Sequence, residues 1–229
     1  MLPRLGRAAL ELLFPSRCLG CGREGSLICT ACRYKLPRIS PPVCRLCGVP
    51  QAEGDLCPAC LNQPHRIDGL RAPFRFEGVI RQAVYRLKYD NLRYMAATLA
   101  GLLGEYLADN PIPGDTLVPV PLHPRRLRQR GYNQSRLLAD GLSKLTGLPV
   151  TEDCLRRQKP ADPQAKAASI EQRRRNVADA FAANDNLKGK RIILIDDVAT
   201  SGATLDAAAA ALRSAGAASV WGLTVAREV

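Results

Sequence analysis

The period of the apolar positions changes along this chain, and each change marks a different kind of structure. Met1 to Phe14 reads as an amphipathic lead-in helix that Pro15 ends. Between Cys18 and Cys60 large apolar residues are too sparse to hold a segment together by burial alone. From Leu70 the pattern turns regular. Leu70 to Phe76 predicts a short strand, and Val79 to Tyr89 and Tyr94 to Leu107 predict helices. The second helix is marked by Met95, Leu99, Leu102, Leu103 and Tyr106 at helical spacing. Thr116 to Val120 predicts a strand, followed by a polar basic loop and a helix from about Asn133 to Leu145. Further strands are predicted over Leu148 to Cys154, Val177 to Ala183, Arg191 to Asp196 and Ser219 to Val225. An alanine-rich helix from about Ala203 to Ala215 separates the last two. Uninterrupted apolar strands alternating with helices imply an α/β domain with a parallel sheet covered on both faces. Asn62-Gln63-Pro64 reads as the exit from the N-terminal module, so the expected division is 1–65 and 66–229.

Composition narrows the class. A chain of 229 residues holds one sizeable core and a small appendage, and 46% hydrophobic residues is ordinary for a globular protein. The net charge of +12 is not ordinary and points to polyanionic ligands such as phosphates or nucleic acid. No apolar run approaches the ~20 residues that span a bilayer. Arg4 and Arg7 precede Ala8-Ala9-Leu10, but Glu11 interrupts the apolar part and no small-residue cleavage site follows. A cytoplasmic, reducing location is therefore expected, and with it free or metal-bound thiols instead of disulfides.

Eight of the nine cysteines fall in Cys-x-x-Cys pairs: Cys18/Cys21, Cys29/Cys32, Cys44/Cys47 and Cys57/Cys60. Two intervening residues let a tight knuckle aim both sulfurs at one ion, and four thiolates around zinc is the closed structural arrangement. Sequential pairing gives two sites, Cys18, Cys21, Cys29 and Cys32, then Cys44, Cys47, Cys57 and Cys60; crossed pairing between the halves is the alternative. Gly22 and Gly48 follow their knuckles where the chain needs a positive φ. Four thiolates leave no open coordination position, so a folding role for zinc is expected and a catalytic one is not. Cys154 stands alone and reads as a small buried hydrophobe. Arg17, Arg23, Arg33, Lys35, Arg38 and Arg45 are interspersed in the module with Tyr34 as the only aromatic. That composition is compatible with single-strand contacts but lacks an aromatic stacking platform.

The sharpest motif is Ile192-Ile193-Leu194-Ile195-Asp196-Asp197-Val198-Ala199-Thr200-Ser201-Gly202-Ala203-Thr204. A buried strand delivers two carboxylates to the carboxyl edge of a sheet, where open α/β folds bind ligands. The turn into the next helix then aims backbone N–H groups at one spot, and the helix dipole favours a dianion. A lone Asp-Asp at a strand end is usually a cap for the next helix, but that reading does not explain the hydroxyl-rich, glycine-containing turn. The stretch resembles the phosphoribosyl-diphosphate (PRPP) loop of type I phosphoribosyltransferases. The resemblance implies 5′-phosphate binding by Ala199, Thr200, Ser201, Gly202, Ala203 and Thr204. It implies ribose-hydroxyl contacts from Asp196 and Asp197, the catalytic pair.

A wider resemblance covers nearly the whole chain. Paired zinc knuckles, Val118-Pro119-Val120-Pro121-Leu122-His123-Pro124, Arg130-Gly131-Tyr132-Asn133-Gln134 and the PRPP loop together resemble the ComF family, also called the GntX group. The resemblance implies a double zinc ribbon joined to a type I phosphoribosyltransferase-like domain, acting on or near single-stranded DNA during natural transformation. It implies a DNA-uptake helicase or other competence proteins as partners. Leu122 to Arg136 carries Arg125, Arg126, Arg128, Arg130 and Arg136 with no acid. By resemblance this loop, with His123, holds the diphosphate and its Mg²⁺. The second basic segment, Arg156 to Arg175, includes Lys159, Gln164 and Arg173 and takes the place of the flexible loop that closes over PRPP. Both loops can instead track a nucleic-acid backbone. The alternative function is an active phosphoribosyltransferase with an unidentified acceptor, whose hood is expected from residues near Leu70 to Tyr94 or from the metal module. No Gly-x-x-x-x-Gly-Lys-Ser/Thr segment exists, so a nucleotide-driven motor is excluded.

Overall fold

The computed structural model describes residues 16–53, 55–90, 92–159, 179–184 and 187–229. The lead-in helix, the start of the strand predicted from Val177, and Gln164 and Arg173 lie outside the described residues. In chain order the elements are α1 Thr30–Tyr34, α2 Pro58–Leu61, β1 Gly69–Arg71, β2 Phe74–Arg75, α3 Gly78–Tyr89 and α4 Met95–Asp109. Then come β3 Thr116–Pro119, α5 Pro124–Arg130, α6 Gln134–Thr146, β4 Leu155–Arg157, β5 Phe181–Ala183, β6 Arg191–Ala199, α7 Ala203–Ser214 and β7 Ser219–Arg227.

The main sheet runs β1-β7-β6-β3, with β2 also paired to β7, and every pairing is parallel. Strand β6 is apolar without alternation because both of its faces are covered. Ile193 and Ile195 pack with Leu87, Leu99, Leu103 and Leu138 from α3, α4 and α6. Ile192 and Leu194 pack with Leu205, Ala208 and Leu212 of α7, whose alanines let the helix lie close on the sheet.

Three expectations are adjusted in detail. The strand predicted over Leu70 to Phe76 is two short pieces, because Pro73 has no N–H to give a ladder and its carbonyl instead accepts from Ile39. Leu148 to Cys154 contributes only one parallel bridge, Val150 to Leu117, beside the non-donating Pro149. Strands β4 and β5 form a separate antiparallel pair outside the parallel sheet.

The cysteine-rich segment is built from knuckles. In each half the first pair is closed by a glycine at positive φ, Gly22 at 73° and Gly48 at 71°, donating back to Cys18 and Cys44. The second pair starts a short helix: Cys29 caps α1 and Cys57 caps α2. This segment does not stand apart. Ile28 and Leu36 belong to the core built by Ile80, Val84 and Leu87. Arg33 pairs with Glu105, and the Leu46 carbonyl accepts from Leu70 at 2.7 Å.

Candidate functional site

Two tetracysteine clusters form, and they follow the sequential pairing: Cys18, Cys21, Cys29 and Cys32, then Cys44, Cys47, Cys57 and Cys60, each with its sulfurs within 4.8 Å of one another. Backbone N–H groups turn toward the sulfurs, as from Cys29 to Cys18 at 3.3 Å and from Cys57 to Cys44 at 3.4 Å. Burial opposes ionisation of Cys18 and Cys44, yet the surrounding N–H groups outweigh it and bring both down to about 6. Hydrogen bonding to Cys18, then burial, pushes Cys32 up to about 12. Thiols this crowded cannot all ionise without a cation among them. Arg227 adds a second sign. It is 6% exposed and its Nε and Nη1 have no hydrogen-bond partner; burial holds the Cys47 thiol above its usual range, with the Val49 N–H and the charge of Arg227 pulling against it. Both clusters fit zinc, held as closed, four-thiolate sites.

Strand β6 carries the acid pair to the C-terminal edge of the sheet, and each acid meets a different partner. Asp197 is 3% exposed and pairs with Lys88 Nζ at 2.7 Å. Burial would lower the Lys88 ammonium, but the attraction of Asp197 outweighs it and raises that group. Asp196 accepts from Ser135 Oγ at 2.8 Å and from the Asp197 N–H at 2.9 Å. Burial, reinforced by the charge of Asp197, lifts the Asp196 carboxyl from 3.8 to about 7 against the pull of Lys88 and those hydrogen bonds.

Beyond Ala199, which pairs with Arg227, the chain turns through Thr200, Ser201 and Gly202 into α7. Gly202 sits at φ 78°, and the Ala203 N–H donates to Ser201 Oγ at 3.4 Å. The N–H groups of Thr200, Ser201 and Gly202 find no acceptor among the described residues, and the hydroxyls of Thr200 and Thr204 donate to none. Thr200 is exposed and Ser201, Gly202 and Thr204 are partly so. Cys47, Leu70, Ser201, Gly202 and Asp206 border one small gap, so the second cysteine cluster abuts this turn.

The basic segment after β3 is largely helical, where a loop was expected. His123 caps α5 by accepting from the Arg125 N–H at 3.3 Å, with Pro124 in the first helical position. Gly131 ends that helix at φ 77°. The rest of Arg130-Gly131-Tyr132-Asn133-Gln134 then fastens neighbours together. Tyr132 OH donates to the Leu87 carbonyl of α3, and Asn133 both donates to Val120 O at 3.0 Å and caps α6 through Ser135 N. Between α3 and α5 lies a cavity of about 470 Å³ lined by Lys88, Tyr89, Arg126, Gln129, Arg130 and Tyr132. Through Lys88 it adjoins Asp197. Arg125 and Arg126 are exposed on α5 and Lys159 lies just beyond β4, exposed. Arg157 of β4 is held below its usual range by burial and by Arg126, against the attraction of Asp196.

Sequence reasoning missed Lys88 and Ser135 as members of the site. A signal for Lys88 exists: positions 80, 84 and 88 share one helix face, and Ile80 and Val84 are fully buried, so a lysine occupies a place meant for an apolar side chain. Ser135 carries no such mark.

Comparison with known proteins gives two family matches: a double zinc ribbon domain over residues 9–61 and a phosphoribosyl transferase domain over residues 133–227. Competence protein F of Haemophilus influenzae is 31% identical, over 92% of this chain and 97% of its own. Competence protein ComFC of Bacillus subtilis is 32% identical, over 87% of this chain and 84% of its own. DNA utilization protein YhgH of Salmonella typhimurium is 33% identical, over 84% and 87%.

Proposed function

Because the chain belongs to the family of competence protein F, ComFC and YhgH, we propose that it binds PRPP or another 5′-phosphorylated ribose with Mg²⁺ and assists single-stranded DNA handling during DNA uptake. The observation that carries the ligand is the turn after the acid pair. Three consecutive amides without an acceptor, at the start of a helix and behind two carboxylates, suit a phosphate dianion on a sugar. In this reading the phosphate rests on Ala199 to Thr204, and its ribose hydroxyls donate to Asp196 and Asp197. His123, Arg125, Arg126 and Arg130 flank the diphosphate side, with Lys159, Gln164 and Arg173 belonging to the segment that covers it. Lys88 already offsets the charge of the Asp197 carboxylate, so the ligands of Mg²⁺ come mainly from the diphosphate, whose charge the ion neutralises. Zinc in the two clusters of residues 1–65 is structural, and residues 66–229 carry the ligand site. The site of action is the cytoplasm, beside other competence proteins such as a DNA-uptake helicase.

Titration calorimetry with PRPP and Mg²⁺ tests this: heat is expected from the intact protein, and Asp197→Asn should weaken binding about tenfold or more. No heat would sink the ligand reading. A second reading, an active phosphoribosyltransferase, is favoured by the cavity of about 470 Å³ beside Lys88, which has room for an acceptor. Its chemistry would be displacement of diphosphate from C1 by alignment and electrostatics. Release of diphosphate on adding candidate acceptors selects the enzyme; binding without release selects the handling protein.

A further inference from the structure

Helix α3 has an unusual outer face. Its inner face is Ile80, Ala83, Val84 and Leu87, all buried. Positions 81, 85 and 89 recur at the i, i+4 interval on one side and carry Arg81, Tyr85 and Tyr89. The helix contains no acid. Tyr85 is 45% and Tyr89 67% exposed, where solvent-facing helix positions ordinarily hold long charged residues.

These aromatics form an ordered run. Phe76 stacks on Tyr85 with centroids 6.2 Å apart and planes 20° apart, and Tyr85 meets Tyr89 at 5.7 Å. Guanidinium groups lie over the two tyrosines, Arg81 over Tyr85 at 5.6 Å and Arg130 over Tyr89 at 5.5 Å. Past Tyr89 the stripe opens into the cavity of Arg126, Arg130 and Lys88. From Arg81 to Tyr89 the stripe covers about 12 Å of helix.

We propose that this stripe of Arg81, Tyr85, Tyr89 and Arg130 is the stacking track for single-stranded DNA. The inference rests on the DNA-handling reading above and assigns it a surface. The exposed rings of Tyr85 and Tyr89 can take unpaired bases of any sequence in place of the Arg81 and Arg130 guanidinium groups now lying over them, which swing aside to meet the phosphates. The cysteine-rich segment supplies cations but only Tyr34 as an aromatic, so the platform that it lacks lies on α3. A second copy of this chain is a poor occupant, because two copies of net charge +12 repel each other and the acids beside the stripe, Glu77 and Asp90, flank the ends of the helix, Asp90 already paired with Arg86. Duplex DNA keeps its bases stacked inside and gains nothing from the rings.

Fluorescence anisotropy of a labelled oligodeoxythymidine on the full zinc-loaded chain tests the track. Tyr85→Ala is expected to lose about five- to hundredfold in affinity, and Tyr85→Phe to stay within about twofold, since stacking needs the ring and not the hydroxyl. A labelled duplex should bind both variants alike. Calorimetry of Tyr85→Ala with PRPP should match the parent, which also shows that the variant is folded. If the parent binds the oligonucleotide and Tyr85→Ala binds it equally, the track is overturned while DNA handling stands. If the parent itself does not bind at low salt, the DNA-handling reading falls and takes the track with it. A change in oligomeric state with unchanged DNA affinity would make the stripe a self-association surface and also overturn the proposal.

Discussion

Asp196 and Asp197 are neighbours in sequence but ionise in different company. Asp197 has the Lys88 ammonium, whereas Asp196 is lifted to about 7 by burial and by its charged neighbour. The native state therefore keeps a proton on Asp196 that the unfolded chain, near 3.8, has released. More protons bound in the native state means that stability falls as pH rises from about 4 to 7, with a slope of at most about 1.4 kcal/mol per pH unit, and levels off above. Asp196→Asn should flatten that slope in urea titrations run across the window; an unchanged slope would mean that another group is responsible. The charged form can accept a ribose hydroxyl at Oδ2, the oxygen not already held by Ser135 and the Asp197 N–H, so PRPP affinity is expected to climb over the same range. Lys88→Met strands a carboxylate that is 3% exposed, with an expected loss on the order of 2 kcal/mol in the unfolding midpoint analysis, reduced because the lysine is partly solvated. The acid pair was legible because it interrupts an apolar strand. Ser135 was not, because its meeting with Asp196 joins positions 61 residues apart and only the packing of α6 on β6 creates it.

At the scale of elements, the β6–turn–α7 unit is where sequence and structure agree most closely. The apolar run fixed the strand, the glycine fixed the turn, and the alanines fixed the helix that lies on the sheet. Gly202 is held at φ 78°, and a side chain there would meet nothing closer than Leu70 Cδ2 at 3.7 Å. Gly202→Ala should therefore cost about 1 kcal/mol through backbone strain, without a clash. PRPP affinity should fall by more than that, since the turn can relax only by moving its amides; equal losses in the two measurements would argue against a ligand on the turn. The elements that were misjudged have local causes. Pro73 splits a strand and Pro149 shortens another, while the β4–β5 pair depends on a long-range meeting that no periodicity signals. Helix α5 was hidden by the polarity of its surface, since none of its residues is buried.

For the whole molecule, composition separated a metal-rich segment from an α/β body, but it could not show that they share a core. Ile28 and Leu36 sit among the side chains of α3 and α4, and Gly48 lies so close to Leu70 that an added Cβ would stand 2.5 Å from its carbonyl oxygen. Zinc removal should then destabilise the entire chain as one unit. Calorimetric melting with and without chelator is expected to show a single transition that moves down; two separate transitions would show that the segments melt independently. The shared core also bears on how the protein can be dissected. A fragment starting after residue 65 would expose the patch on Ile80, Val84 and Leu87 that Ile28 and Leu36 now cover, and the isolated ribbon would lose its floor. Deletion fragments would thus report misfolding in place of lost activity, so the division of labour along this chain has to be mapped with point substitutions.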